Sequence, residues 1–246
     1  MKFFSKYKQV IAGVILGFYT MAVVLAYSTD KSKNAIDVLN SLGALISSAG
    51  AIAAIFTLVH VISEKREEER NKHISCANFL LVQLLSQAWV TREYIQKVFK
   101  DYDKGDAQAC VNLVLNRYSV DHLRDLDLEK YAFLIGGYDP NVFTKLSNCK
   151  FNTAAITEYV DNRSNYYLSE LVKPCKHMAS SDGFILQDVM REVDPIVVHS
   201  LLTSTDRILH QLKTTAKDLT TVHQMLYDVM KKKYPNETFI KPLSES

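Results

Sequence analysis

Charged residues are scarce at the beginning of this sequence. The 246-residue chain has 29 basic and 27 acidic side chains, and only seven of them lie in residues 1–63. A single water-soluble domain does not segregate its charge in this way, so we expect the two parts of the chain to lie in different solvents. The apolar content, 48% of all residues, excludes an intrinsically disordered chain.

Signals of catalysis are also missing. The sequence contains none of the motifs GxxxxGK(S/T), GxGxxG, GxSxG, HExxH and CxxC, which bind phosphates, carry nucleophiles or ligate zinc. Its four cysteines are far apart and too few for a disulfide scaffold. We therefore expect a non-enzymatic protein with no cofactor and no metal. Residues 64–246 hold 24 basic and 25 acidic side chains, a balance that argues against broad nucleic-acid binding.

Two uncharged apolar runs predict membrane-spanning helices. The first covers residues 10–27 and the second covers residues 38–63. A bilayer core of about 30 Å is crossed by about 20 helical residues, so both runs are long enough to span it. We predict spans at about 9–27 and 38–62. An alternative for the first run is a cleaved signal peptide, with Ala26-Tyr27-Ser28 as the cleavage site.

The distribution of lysine and arginine predicts the orientation of the two spans. Both outer flanks carry more of these residues than the loop at 28–35 that joins the spans. Because cytoplasmic flanks are enriched in positive charge, we expect a two-pass membrane protein with both termini in the cytoplasm. The residues are Lys2, Lys6 and Lys8 before the first span, Lys31 and Lys33 in the loop, and Lys65, Arg66, Arg70 and Lys72 after the second.

Small and weakly polar residues recur along both predicted spans at helical spacing. In lipid, such residues let helix backbones approach closely, whereas large apolar side chains provide no drive to associate. The two small faces can pair within one hairpin, or the second can meet copies of itself in an oligomer or a pore lining, which requires several chains. We predict self-association through the spans. His60, at the cytoplasmic end of the second span, is a further candidate for a functional residue, because ionisable groups in a span are rare. The stripe residues are Gly13 and Gly17, then Asn40, Gly43, Ser47, Gly50 and Thr57.

The remainder of the chain reads as a series of helices. Asp139-Pro140 and Asp194-Pro195 each place an N-cap residue before a proline at the first helical position. The predicted fold is all-α, a two-helix transmembrane hairpin followed by a cytoplasmic α-helical bundle. Its parts are the hairpin at 1–63, a charged helical stalk at 64–73, the helical domain at 74–234 and a flexible tail at 235–246. Helices are predicted at about 64–100, 106–117, 120–136, 139–172, 184–192 and 194–233.

Two further patterns in the helical domain carry alternative functions. Arg117-Tyr-Ser-Val-Asp-His122 matches the R-x4–6-H spacing of HEPN ribonucleases, where arginine and histidine bind the phosphate and assist attack by the RNA 2′-hydroxyl. Tyr118 stands where that family commonly has a polar residue. A second pattern, the lysines at 231–233, lies in the last turn of the final helix. There the charges favour the helix dipole or contact anionic lipid head groups.

The layout of residues 1–72 resembles that of small bacterial inner-membrane effectors of antiviral systems, of the retron-associated or abortive-infection type. The resemblance consists of a short basic start, two spans, a charged stalk and a cytoplasmic helical domain. It implies that the helical domain keeps the protein inactive by holding a cytoplasmic protein or ribonucleoprotein, and that the spans permeabilise the membrane on release. The alternatives are a membrane-anchored adaptor or scaffold, and a membrane-tethered HEPN-like ribonuclease.

Overall fold

The secondary structure of this chain is helical. A computed structural model describes residues 17, 19, 20, 35–124, 126–178 and 183–242, and within these ranges it contains helices and no β-strand. This confirms the all-α prediction. The chain divides into two units, Met1–Glu69 and Arg70–Ser246.

The first unit contains the beginning of a long helix. Helix α1 covers Ala35–Val98, and its residues 35–69 belong to this unit. The second predicted span and the charged run at 64–72 are therefore helical, as expected from their apolar content and from opposite charges at helical spacing. Gly17, Tyr19 and Thr20 are also helical, while the rest of the first predicted span lies outside the described residues.

The second unit is built from the end of α1 and a set of shorter elements around two long helices. The two long helices, α5 and α7, pack against each other along much of their length. In chain order the further elements are α2 (Ala107–Asn112), α3 (Asp121–Arg124), a 3-10 helix (Leu128–Tyr131), α4 (Phe133–Gly137), α5 (Pro140–Tyr166), a π-helix (Tyr167–Val172), a 3-10 helix (Pro174–Met178), α6 (Leu186–Glu192) and α7 (Pro195–Lys233).

Both predicted aspartate–proline starts begin a helix. The Asp139 carboxylate accepts a hydrogen bond from the backbone N–H of Asn141 at 2.9 Å, at the beginning of α5. Asp194 does the same for Ile196 at 2.9 Å, at the beginning of α7. Each cap satisfies a backbone donor that has no partner inside the helix, and the following proline fixes a helical φ.

Two groups of buried side chains hold the second unit together. One joins α1, α5 and α7, and the other joins α2, α5, α7 and the connecting segments. Each fully buried leucine contributes about 1.5–3 kcal/mol from the removal of apolar surface from water. The first group includes Leu80, Leu84, Leu134, Leu146, Leu219 and Leu226, and the second includes Val111, Tyr118, Ile156, Leu171, Leu201 and Leu212.

The predicted helix at 106–117 is wrong in its second half, because α2 ends at Asn112. Side chains from other elements occupy the carbonyl groups that a longer helix would need. Arg163 donates to the Leu113 carbonyl at 2.7 Å, and Ser164 donates to the Leu115 carbonyl at 3.2 Å. With these acceptors used, the segment that follows α2 stays irregular and packs beside α5.

The single predicted helix at 120–136 is also wrong. It consists of α3, a 3-10 helix and α4. The Asp127 carboxylate accepts from the backbone N–H of Glu129 at 3.1 Å and so begins a new turn inside the predicted helix. The helix predicted at 139–172 has the expected length, but its last six residues form the π-helix.

Candidate membrane segment and candidate binding cavities

The apolar segment of α1 in the first unit exposes large hydrophobic side chains over most of its circumference. Between Gly50 and Ser63 every residue except His60 is exposed. At about 100° per residue, the large side chains cover a sector of about 220°, and the remaining sector carries Gly50, Ala53, Thr57 and His60. A contiguous apolar surface of this kind marks contact with lipid or with another protein. Its large members are Ile52, Ile55, Phe56, Leu58, Val59, Val61 and Ile62.

Residues 74–91 of the same helix are packed differently. Their apolar face is buried in the second unit, where Ala77, Leu81 and Leu84 have almost no exposed surface. Gln87 and Thr91 lie on the same buried face and hydrogen-bond to the Tyr118 hydroxyl at 3.1 and 2.7 Å. By length and composition, one helix among the described residues, at Gly50–Val98, could cross a membrane.

The predicted stripe residues on α1 are not covered by any side chain that the structure describes. Gly43, Ser47, Gly50 and Thr57 are exposed. A methyl group placed on Gly43 or Gly50 would meet no other described atom within 4 Å. The Thr57 hydroxyl donates to the Ala53 carbonyl at 2.8 Å, so this polar group is satisfied within its own helix.

Of the three other predicted stripe residues, one lies outside the described part of the chain. Gly13 is not described, and Asn40 is described only as helical. Gly17 is exposed, and a methyl group there would also meet no described atom within 4 Å. His60 lies 3.3 Å from Glu64 through its Nε2, one helical turn away. This carboxylate gives the imidazole a local partner at the end of the predicted span.

The predicted ribonuclease pair, Arg117 and His122, does not share a cavity. His122 lines a surface cavity of about 540 Å³ together with Asp121, Asp127 and Lys130. Arg117 is exposed and is not part of its lining. Asp127 is already the cap of the 3-10 helix and lies 3.6 Å from Lys130. The cavity that His122 lines therefore has two carboxylates and a lysine in its lining, and the predicted partner Arg117 is not among its lining residues.

The lysines at 231–233 lie in the last turn of α7, as predicted, and two of them have contacts within the second unit. Lys231 donates to the carbonyls of Pro235 and Glu237 at 2.7 and 2.9 Å. The Lys233 ammonium lies 3.8 Å from the centre of the Tyr138 ring. The Lys231 hydrogen bonds connect the residues after α7 to the end of that helix, and the Lys233 contact connects the helix end to Tyr138. Positive charges at this end of the helix also interact favourably with the helix dipole. Within the described ranges, no three histidine, cysteine or acidic side chains come together as a metal site.

Arg163 on α5 is a buried charged side chain that the sequence analysis did not single out. It is 3% exposed. Its Nε donates to the Thr205 hydroxyl at 3.1 Å, and its Nη atoms donate to the carbonyls of Leu113 and Cys110 at 2.7 and 3.0 Å. The guanidinium also lies 4.9 Å from the centre of the Tyr167 ring. Its spacing from Ile156, Val160 and Tyr167 is the signal that places it on the buried face.

A groove between α5 and α7 is lined by this arginine and by a second one. Its volume is about 570 Å³, and its other residues include His199, Ser200, Thr203 and Tyr166. Arg207 lies at its edge with the guanidinium 4.8 Å from the centre of the Tyr159 ring. None of the residues that line the groove, all within 126–178 and 183–242, is acidic.

His223 on α7 is buried between α7 and α1. It is 2% exposed, and neither ring nitrogen hydrogen-bonds to another described residue. Burial lowers the pKa of this imidazole from its usual value of 6.5. The side chain is therefore neutral at pH 7 and fills space as an apolar ring would.

No protein-family model, curated protein or solved structure matches this chain.

Proposed function

We propose that this protein is a non-enzymatic membrane effector that permeabilises a membrane through its spans and is held inactive by its helical domain. In the setting that the sequence layout suggests, it acts at the inner membrane of a bacterial cell during antiviral defence. Both termini lie in the cytoplasm, and the effect requires several copies of the chain. The observation that carries this proposal is the contrast between the two parts of α1.

The solvent exposure along α1 supports a lipid environment for residues 38–63. The part from Gly50 to Ser63 exposes large apolar groups over most of its circumference, whereas residues 74–91 bury one face against α5 and α7. A helix that is mainly apolar and uncharged over a bilayer's length is stable in lipid, where its backbone groups are satisfied internally. Residues 74–91 pack against the helical domain. Residues 38–63 are therefore the part of α1 whose apolar surface needs lipid or another helix to cover it.

The small stripe supports self-association as the way in which the spans act. Gly43 and Gly50 are seven residues apart, about two helical turns, so they open the same side of α1 to close approach. Because nothing in the described chain covers this side, a second copy can pack there without rearranging the helix. Ser47 and Thr57 add hydroxyl groups to the surface that several copies would share.

A double substitution tests the proposal. Gly43→Leu with Gly50→Leu fills the stripe, and a Cβ at either position meets no other described atom within 4 Å. We expect the overproduced wild-type protein to let a normally excluded dye enter bacterial cells, and the double variant to lose this effect while still fractionating with membranes. Ser48→Leu is the matched control, because it lies about 200° around the helix from Gly50 and should leave dye entry unchanged. Dye entry caused by the membrane-inserted double variant would refute self-association through this stripe.

The alternative function is a passive membrane anchor for an adaptor or scaffold. It predicts that an unrelated two-span hairpin can replace residues 1–63 with full function. The effector proposal predicts that the same replacement abolishes dye entry while the helical domain remains folded. One chimaera therefore separates the two classes.

A further inference from the structure

The groove between α5 and α7 has an unusual balance of charge. We call it the arginine groove, after Arg163 and Arg207, and its other polar residues include His199, Ser200 and Thr203. Its lining has two permanent positive charges and, among the residues described, no carboxylate to neutralise them. The charges therefore face a cavity that contains nothing of opposite sign.

The charge of Arg163 is fixed in place and lacks a counterion. Its donors go to one hydroxyl and two carbonyls, and no carboxylate of a described residue lies within 4 Å of its nitrogens. A buried charge in such surroundings is weakly screened. This charge acts on Tyr167, the tyrosine on which Arg163 stacks. Burial raises the pKa of Tyr167, and the positive charge of Arg163 opposes that rise.

Asp206 precedes Arg207 in the sequence, and its carboxylate is hydrogen-bonded outside the groove. Asp206 accepts a hydrogen bond from the Tyr102 hydroxyl at 2.7 Å and from the backbone N–H of Gly105 at 3.3 Å. Both partners lie on the segment that follows α1, outside the groove lining. Asp206 therefore holds that segment against α7 and is not part of the groove lining.

Arg207 is exposed and held in position at the edge of the groove. Its guanidinium stacks on Tyr159, and one Nη donates to the Tyr159 hydroxyl at 3.4 Å. Stacking orients the planar guanidinium and uses few of its five N–H donors, so the others can contact an anion. The exposed hydroxyls of Ser200 and Thr203, on the same side of α7, supply neutral donors beside it.

We propose that the arginine groove binds a phosphorylated nucleoside. Arg207 and the hydroxyls of Ser200 and Thr203 bind the phosphate, and the half-buried ring of Tyr166 provides the surface on which a base stacks. The volume of about 570 Å³ fits a ligand of nucleotide size. A free nucleotide and the 5′-phosphate end of a nucleic acid present this same chemistry.

This inference goes beyond the membrane-effector function and does not require it. Binding is measured on the full-length chain in detergent micelles, where permeabilisation plays no part. If both proposals hold, the groove gives the helical domain a chemical signal to respond to. If the protein proves not to permeabilise membranes, nucleotide binding in the groove is unaffected. Failure of the proposed function and failure of this inference are therefore distinguishable.

Calorimetric titration of the full-length chain tests the site at near-physiological salt, which screens non-specific attraction. The probes are the four nucleoside 5′-monophosphates, the matching nucleosides, inorganic phosphate, and one short RNA with and without a 5′-phosphate. At least one monophosphate should bind about tenfold more tightly than its nucleoside and than inorganic phosphate, because charge-assisted bonds and stacking both contribute. Preference for the phosphorylated RNA over the monophosphates would support the site and identify a nucleic-acid end as the source.

Two variants assign this binding to the groove. Arg207→Gln removes an exposed charge, and Ser200→Asp adds a negative charge to the groove without disturbing the core. Each should weaken binding about tenfold or more, as expected for the loss of a hydrogen bond to a charged group. Arg191→Gln is the matched control, since Arg191 is exposed on α6 and should leave the affinity unchanged. Failure of both the monophosphates and the 5′-phosphorylated RNA to bind more tightly than their unphosphorylated counterparts, or wild-type affinity in Arg207→Gln, would each overturn the proposal.

Discussion

At the scale of single residues, His223 is the buried group whose surroundings suit its chemistry least. Its ring lies between α7 and α1, in contact with a small cavity that Leu84, Ala88 and Arg92 also line. Arg92 is the charged group of α1 at that cavity, and it donates to the Thr220 hydroxyl at 3.0 Å. A proton on His223 would place a second positive charge in this space, whose described lining contains no carboxylate.

We predict that the helical domain loses stability in mild acid because of His223. Its folded pKa is lowered, so its stabilising contribution is complete above the unfolded pKa of 6.5 and is lost as the pH falls through the lower folded pKa. In urea unfolding followed by circular dichroism, the free energy of unfolding should therefore decrease from pH 7 to pH 5. His223→Leu should remove most of this decrease and cost little at pH 7, since it also removes two unpaired buried nitrogens. An equal decrease in both proteins would show that another group causes it.

Sequence reasoning identified some of the important residues and missed others for a physical reason. The caps Asp139 and Asp194 were predictable because a cap depends on residues two or three positions away. Arg163 was not, because its role depends on carbonyls about 50 residues away in the chain, at Cys110 and Leu113. His122 was singled out by a local spacing, and the cavity that it lines has Asp121, Asp127 and Lys130 in its lining, which depends on the fold.

At the scale of elements, α7 is the helix on which both buried groups of the second unit depend. It contributes Leu201 and Leu212 to one group and Leu219 and Leu226 to the other. Any loss at its beginning is therefore transmitted to the whole unit rather than to one end. Its only sequence-local support there is the Asp194–Pro195 start.

We predict that Asp194→Ala destabilises the second unit by about 1 kcal/mol, the usual cost of losing an N-cap. The substitution removes the acceptor for the Ile196 N–H and leaves the core unchanged. Chemical unfolding of the full-length chain in micelles measures the difference. Asp228→Ala is the control, because Asp228 is exposed near the other end of α7 and its loss should change stability by less than about 0.5 kcal/mol. Equal stability of Asp194→Ala and the wild type would mean that this cap does not support the helix.

The long elements could be predicted from the sequence and the short ones could not. Helices α5 and α7 have a sustained apolar period and explicit starts, so local physics determines them. The segment between α2 and α3 also has apolar residues, yet it is not helical. Side chains from α1 and α5 donate to its carbonyls: the Tyr94 hydroxyl donates to the Asn116 carbonyl at 2.6 Å, and the Ser164 hydroxyl donates to the Leu115 carbonyl at 3.2 Å. Such long-range competition leaves no trace in a short sequence window.

At the scale of the whole molecule, the central claim is that one part of the chain lies in lipid and the other part in water. The uneven charge of the sequence predicted two parts, and the structure divides into units at Glu69 and Arg70, inside the charged run. The first unit has apolar side chains exposed on α1, and the second has buried groups of leucines and aromatics. Lysine and arginine in the flanks favour an arrangement with the second unit on the cytoplasmic side.

Protease protection of a carboxyl-terminal tag tests this central claim most directly. Intact bacterial spheroplasts that produce the tagged chain are treated with protease, lysed, and separated into membranes washed with alkaline carbonate and a soluble fraction. We predict that the full-length tagged chain remains in the washed membranes, and that it is digested only when detergent admits the protease. Release of the chain by carbonate, or loss of the tag in intact spheroplasts, would contradict the account.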